Sequence, residues 1–280
     1  MQDGKYYSLP SVNIFYFCCM EIPFFKYQGT GNDFILLDNR EGKYGGLREQ
    51  QVASLCNRRF GIGADGLMLL NAHPDYDFEM VYFNADGREG SMCGNGGRCI
   101  VRFACDRGIQ KSEYRFLAVD GPHLAKIDPN GWVSLRMIDV DEIRETDGDF
   151  LLNTGSPHLV RITADVSEMD VYRTGMEIRY SPAYSTEGIN VNFAEQKAKD
   201  RLFVRTYERG VEDETFSCGT GVTAAALTSF YHPSGKNSVH VQTKGGMLRV
   251  DFERDPKGSF HDIWLNGPAA FIFKGTIPVE

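Results

Sequence analysis

One short pattern occurs twice and sets the plan of the chain. Segment 79–104 (EMVYFNADGREGSMCGNGGRCIVRFA) and segment 201–226 (RLFVRTYERGVEDETFSCGTGVTAAA) each read as a strand, a polar loop, Cys-Gly-x-Gly and a helix. The two cysteines, Cys93 and Cys218, stand 125 residues apart in a chain of 280, close to half its length. A duplicated unit at that spacing implies two similar halves related by a pseudo-two-fold, with a ligand site in the cleft between them. With 42% hydrophobic residues, the chain can bury a sizeable core.

The remaining pattern predicts many short strands and few helices. Residues 22–38 read as strand, turn and strand around Gly29-Thr30-Gly31-Asn32-Asp33. Apolar spacing predicts a helix over Leu47–Arg59, strands over Gly66–Asn71 and Asp77–Phe83, and a helix over Arg98–Asp106. Residues 114–138 read as a meander that turns at Asp128–Gly131. The charged run Asp139–Asp149 breaks the apolar pattern and predicts a crossover between halves. A second set of strands and turns follows, holding Thr154–His158 and Asn190–Phe193. Then come a strand over Phe203–Tyr207, a turn region over Glu208–Glu214 and a small-residue helix over Val222–Phe230. Three more strand-like segments close the chain.

A cysteine just before a helix meets the unpaired N–H groups of the first turn and the positive end of the helix dipole. Both favour the thiolate. Glycines beside it let the backbone approach a bound group and aim N–H donors at a carboxylate or phosphate. One such loop is a weak signal, because free cysteines often only pack. Two loops, one per half, match a particular chemistry. Inverting a carbon that bears hydrogen needs a base on one face and an acid on the other, and two thiols can exchange those roles. The helix N-termini can stabilise a carboxylate as negative charge builds on it. Cys56, Cys99 and Cys105 sit in apolar or helical surroundings and read as packing residues.

Composition excludes several alternatives. Seven cysteines at irregular spacing argue against a disulfide framework and, with few histidines nearby, against a zinc site. Free thiols fit a reducing cytoplasm. The formal net charge of −8, without a Lys/Arg cluster, argues against a nucleic-acid partner. Val12–Met20 (VNIFYFCCM) is apolar but too short to span a membrane, so no membrane partner is expected. Residues 1–19 read as an upstream extension, with organised patterning from Met20.

The motifs FFKYQGTGNDFILLD (24–38), RRFGIGADG (58–66), YFNADGREGSMCGNGGRC (82–99), TGSPH (154–158), INVNF (189–193) and RTYERGVEDETFSCGTGVTAAA (205–226) resemble the diaminopimelate epimerase family. They run in order through nearly the whole chain after Met20. The resemblance implies a cofactor-independent isomerase that interconverts LL- and meso-diaminopimelate, in lysine and peptidoglycan precursor synthesis. It implies an α+β fold of two pseudo-symmetric domains, each a mainly antiparallel sheet wrapped around a central helix, with the active site in the interdomain cleft. The expected division is 20–138 plus 267–280 for the first domain and 139–266 for the second. By the same resemblance, Cys93 and Cys218 are the acid/base pair. Gly94, Asn95, Gly219 and Thr220 offer donors to the carboxylate at the reacting centre. Asn32, Asn84, Asn190 and Arg209 hold polar substrate groups, with Arg209 on the distal carboxylate. Glu208 takes the ammonium near the reacting centre, and Ser156 and His158 sit close by. No cofactor and no metal are expected, and the partner is a small amino acid, with a homodimer left open.

Two positions depart from the family pattern. Many members carry Asn-Pro-His where this chain has Ser156-Pro157-His158, and some carry Gln where it has Gly66. Proline and hydroxyproline racemases, with similar fold and mechanism, are the nearest rival reading. A thiol redox or binding protein that uses Cys93 and Cys218 as a reversible disulfide is the rival from another class.

Overall fold

A computed structural model describes residues 20–229 and 234–279. The expectation for residues 1–19 therefore lies outside the described residues, as does the end of the predicted helix at Phe230. The first half contains β1 (Met20–Gly29), β2 (Asn32–Asp38), α1 (Glu49–Cys56), β3 (Gly66–Asn71), β4 (Phe78–Asn84), α2 (Gly94–Asp106), β5 (Glu113–Ala118), β6 (Gly121–Ile127) and β7 (Trp132–Arg136). The second half contains β8 (Arg144–Thr146), β9 (Asp149–Asn153), β10 (Pro157–Ile162), α3 (Val171–Arg179), β11 (Asn190–Ala198), β12 (Arg201–Glu208), β13 (Asp213–Thr215), α4 (Gly219–Thr228), β14 (Gly235–Thr243), β15 (Gly246–Arg254) and β16 (Phe260–Pro268), followed by β17 (Ala270–Val279).

The pairing pattern repeats. In the first half β1–β2, β3–β4, β5–β6 and β6–β7 are antiparallel, and β2–β3 and β4–β5 are parallel. In the second half β9–β10, β11–β12, β14–β15 and β15–β16 are antiparallel, and β10–β11 and β12–β14 are parallel. A parallel pair needs a crossover, and each of the four helices supplies one. Antiparallel β7–β16 pairing joins the halves. Each half also lends a strand to the other: β8 follows β7 but pairs with β9, and β17 follows β16 but pairs with β1. The architecture is the two-half α+β fold expected from the sequence.

The helices divide into two kinds. α2 and α4 lie inside one continuous core that includes Ile100, Phe103, Val222, Ala225 and residues from strands of both halves. α4 (GTGVTAAALT) is buried all round, which explains its small uncharged side chains. α1 and α3 cover the outer faces, each over a smaller cluster. The strand Gly66–Asn71 has the predicted bounds. The sequence reading missed α3. Its centre is Gly175, a poor helix former, and tertiary packing decides the matter: a Cβ there would lie 2.3 Å from Cβ of Tyr207. The charged run 139–149 includes the short strand β8 as well as connection, and the chain closes with four strands rather than three.

Candidate functional site

The site is assembled where the two inner helices meet end to end. Cys93 is the N-cap of α2, and its sulfur accepts from the Gly96 N–H at 3.2 Å. Cys218 is the N-cap of α4, with Sγ 3.4 Å from the Thr220 hydroxyl. The first residues of the two helices nearly touch: a Cβ on Gly219 would lie 3.4 Å from the Gly94 Cα and 2.9 Å from a methyl of Leu265. Two positive helix ends aimed at one space repel each other. An anion between them relieves that repulsion.

Both cysteines line a cavity of about 240 Å³, together with Asn32, Gly94, Asn95, Ser156, Asn190, Glu208, Arg209, Gly219 and Thr220. A second cavity of about 720 Å³ shares Asn32, Cys93, Glu208 and Arg209 with it and extends past Tyr82, Asn84 and Phe216. Ten of the eleven residues predicted to bind substrate therefore line these two spaces. His158 does not. It is fully buried and its residue borders a different cavity, of about 850 Å³, on the side of 138–144 and 183–189.

Strand register explains where these residues fall. Phe34 pairs with Gly66 across β2–β3 as His158 pairs with Asn190 across β10–β11. Met68 faces Tyr82 across β3–β4 as Asn192 faces Thr206 across β11–β12. Asn32 and Ser156 thus take equivalent places, as do Asn84 and Glu208. His158 is the counterpart of Phe34, a core position, one step below the cavity. There Asn192 Nδ2 lies 3.1 Å from His158 Nδ1 and donates to the Leu159 carbonyl at 2.9 Å, while Thr206 donates to Asn192 Oδ1. With Nδ1 accepting, the proton sits on Nε2, which has no hydrogen-bond partner among the described residues. Burial, with the nearby Arg209 charge, lowers the His158 pKa to about 3, so the ring is neutral. Asn192 shares the cavity-facing side of β11 with Asn190, but it lies under α4, where a Cβ on Gly221 would come within 2.2 Å of its Oδ1.

A polar seam ties the halves together. The Asn95 amide donates to the Ser217 carbonyl and to Asn32 Oδ1, both at 2.8 Å. Its oxygen accepts from the Arg98 guanidinium at 2.9 Å and from the Thr30 hydroxyl at 3.3 Å. Thr30 and Gly31 form a two-residue hairpin turn with positive φ at both, 52° and 93°. That is costly for a β-branched residue, and the buried contacts with Asn95 and Arg98 hold it. The next residue, Asn32, is thereby fixed, and it donates to Asp65 at 2.7 Å. On the other half, Asn190 donates to Ser156 Oγ and accepts from the Arg209 N–H. Arg209 also reaches the Glu187 carbonyl. Glu208 accepts from the Thr215 hydroxyl at 2.9 Å, and burial raises its pKa.

The thiols differ from the sequence expectation. Burial dominates and pushes Cys93 up to about 11, opposed by the Gly96 N–H and by Arg98, and reinforced by Glu208. Cys218 is likewise raised by burial and by Glu208, opposed by Thr220 and the Gly221 N–H. The helix ends act in the expected direction but do not outweigh burial. The sequence reading missed Arg98, a fully buried guanidinium with no carboxylate beside it among the described residues, held by the Gly94 carbonyl, Thr30 and Asn95. A cation inside an otherwise apolar helix pattern was the available signal. It also missed Asp65, Tyr82 and Thr215, all three of which stand in the quoted motifs.

Two opposed helix N-termini, each opened by a cysteine onto a shared cavity, define a two-thiol site of the kind suited to proton transfer at both faces of one carbon. The model of the family described as diaminopimelate epimerase matches residues 24–140 and 150–271, and the chain belongs to this family. It is 47% identical to a diaminopimelate epimerase of Flavobacterium psychrophilum, over 90% of this chain and 99% of that protein. It is 43% identical to the one from Chlorobaculum tepidum, over 89% and 98%. Among solved structures, a phenazine biosynthesis protein of the PhzF family from Bacillus anthracis shares the fold, with a TM-score of 0.71 at 15% identity over 92% of this chain and 99% of that one. A hydroxyproline epimerase from Agrobacterium vitis shares it with a TM-score of 0.63 at 12% identity, covering 92% of each chain. Among the described residues no helix is long and apolar enough to cross a membrane.

Proposed function

We propose that this chain interconverts LL- and meso-diaminopimelate without a cofactor, by proton transfer between Cys93 and Cys218 across the substrate α-carbon. The observation that carries this reading is the pair of cysteines on abutting helix N-termini lining one 240 Å³ cavity. The substrate carboxylate occupies the space between the helix ends, held by the N–H groups of the first turns and by Thr220. Its neighbouring ammonium is taken by Glu208. Arg209, supported by Asn190, grips the distal carboxylate as a guanidinium fork, and Asn32, Asn84 and Ser156 complete the polar contacts.

The buried thiols fit this chemistry once substrate is bound. Glu208 opposes thiolate formation at both cysteines. A substrate ammonium beside Glu208 cancels that charge, which favours release of one thiol proton to solvent and leaves a thiolate facing the α-C–H. That thiolate removes the α-proton, while the other thiol, still protonated, delivers its proton to the opposite face. The roles are reversed in the reverse reaction. Negative charge that spreads into the carboxylate is met by donors already in place. Residues 20–138 with 267–280 form one domain in this reading and 139–266 the other, supported by the exchanged strands β17 and β8. A reducing cytoplasm suits a site that depends on two free thiols.

The test is an assay that follows LL- and meso-diaminopimelate in both directions, with and without reductant. Interconversion is expected, with activity restored by reductant after air oxidation and unchanged by pyridoxal phosphate or chelator. Turnover of proline with none of diaminopimelate would reverse the substrate assignment.

A further inference from the structure

Tyr82 has a position that its strand neighbours do not explain. It lies on β4 with its ring between two glycines. A Cβ on Gly66 would come within 2.5 Å of ring atom Cε2 and 2.8 Å of the hydroxyl, and a Cβ on Gly90 would come within 2.9 Å of ring atoms Cδ1 and Cε1. Neither glycine has a positive φ. At these two positions space, rather than backbone conformation, demands glycine. Together they form a slot that the tyrosine ring fills. Phe34 closes it from below, edge-on at 6.1 Å between ring centroids.

The slot aims a polar group at the cavity. Tyr82 lines the larger space beside Cys93, Asn32, Asp65 and Glu208. No hydrogen bond to its hydroxyl occurs among the described residues, although Tyr27 and Tyr114, in the same core cluster, bond theirs to Asp106 and to the Ile109 carbonyl. A half-buried phenol packed on both faces and left without a protein partner is placed to meet a ligand. Burial, followed by the neighbouring Cys93 and Asp65, keeps that phenol protonated. Two carboxylates, Asp65 and Glu208, line the same space, so an ammonium is the ligand group that the phenol oxygen and its neighbours best receive.

We infer that Tyr82 is a substrate-contacting residue whose hydroxyl oxygen accepts a hydrogen bond from an ammonium group of the substrate, in a slot created by the absence of side chains at positions 66 and 90. This rests on the activity proposed above. It gives the departure at Gly66 a physical meaning: the space that a longer side chain at 66 would use is occupied by a group from the adjacent strand.

The experiment is Tyr82→Phe, which keeps the ring in the slot and removes only the oxygen. A hydrogen bond to a charged group corresponds to about tenfold or more in affinity. The contact exists in the bound substrate as well as during reaction, so KM should rise roughly tenfold while kcat stays within about threefold. Calorimetric binding of diaminopimelate should weaken by the same factor, with the thermal midpoint unchanged. A purely structural tyrosine would leave KM and affinity untouched. Wild-type activity with Tyr82→Phe unchanged in KM and affinity overturns the assignment of Tyr82 alone. Wild-type protein that neither binds nor turns over diaminopimelate overturns the proposed activity and this inference with it.

Discussion

Gly219→Ala tests the abutment of the two helices directly. Gly219 is the first residue of α4, and alanine is ordinarily the better helix former by about 1 kcal/mol. Here the added methyl would sit 2.9 Å from Leu265 Cδ2 and 3.4 Å from the Gly94 Cα. Carbon atoms pack best at about 3.5–4.0 Å, so the methyl intrudes by roughly 0.6–1 Å on Leu265 and by a few tenths of an ångström on the facing helix. Leu265 is fully buried in the shared core and has little room to turn. Over-packing of this kind costs about 1–3 kcal/mol. The larger effect falls on rate, because the wedge spreads the two thiols that must address one carbon, and a misplacement of about 1 Å can cost on the order of 100-fold. The assay compares kcat and thermal midpoint of Gly219→Ala with Gly46→Ala, an exposed position where an added Cβ meets nothing within 4 Å. The expected result is a fall in kcat of about 10- to 100-fold at position 219, a midpoint lower by a few degrees, and no change at position 46. Full activity in Gly219→Ala would show that close approach of the helix ends does not matter and would refute the reasoning.

Other outcomes follow from the same geometry. Alkylation of Cys93 by iodoacetamide in the ligand-free protein should keep accelerating through pH 10, because burial holds the thiol near 11; a plateau by pH 8 would contradict it. The linked stability has a definite sign. Cys93 is raised above its value of 9.0 in the unfolded chain, so its contribution is intact below pH 9 and is lost as pH rises from 9 to 11, on the order of 3 kcal/mol. Urea unfolding at pH 8 and pH 10.5 should show a smaller loss in Cys93→Ala than in the wild type. Asn95→Ala removes the amide that bridges Asn32 and the Ser217 carbonyl and leaves buried Arg98 with fewer partners. It should destabilise the protein by about 2–4 kcal/mol and reduce kcat at least tenfold; urea midpoints and turnover together check this, and a neutral result would remove the seam between the halves from the account.

The duplicated cysteine pattern made the two-half plan legible, because each copy carries its own strand, glycine loop and helix. The strand Gly66–Asn71 and the inner helices were readable for the same reason: their apolar patterns agree with their burial. α3 was not, since Gly175 and the β-branched Val171 argue against a helix until Tyr207 is packed against it. The exchange of β8 and β17 between halves depends on pairings more than 100 residues apart for β17 and carries no local signature. Within the site, ten of the eleven expected substrate-binding residues line the paired cavities, because motif spacing preserves which residues share a loop or a strand end. His158 fell outside because it lies one step deeper along the same face as Ser156, in the place that Phe34 takes in the other half. The thiol ionisation was misjudged in degree, since sequence shows a helix N-terminus but not the depth at which it is buried.

In the proposed reaction two thiols act on opposite faces of one carbon. Deuterium distribution at early conversion in deuterated water measures this most directly. Starting from LL-diaminopimelate, meso product should carry one solvent deuterium at the inverted carbon while recovered substrate remains protiated, with the same result from the meso side. Product that retains the original hydrogen, or recovered substrate that exchanges as fast as product forms, would mean that one group serves both faces and would contradict it.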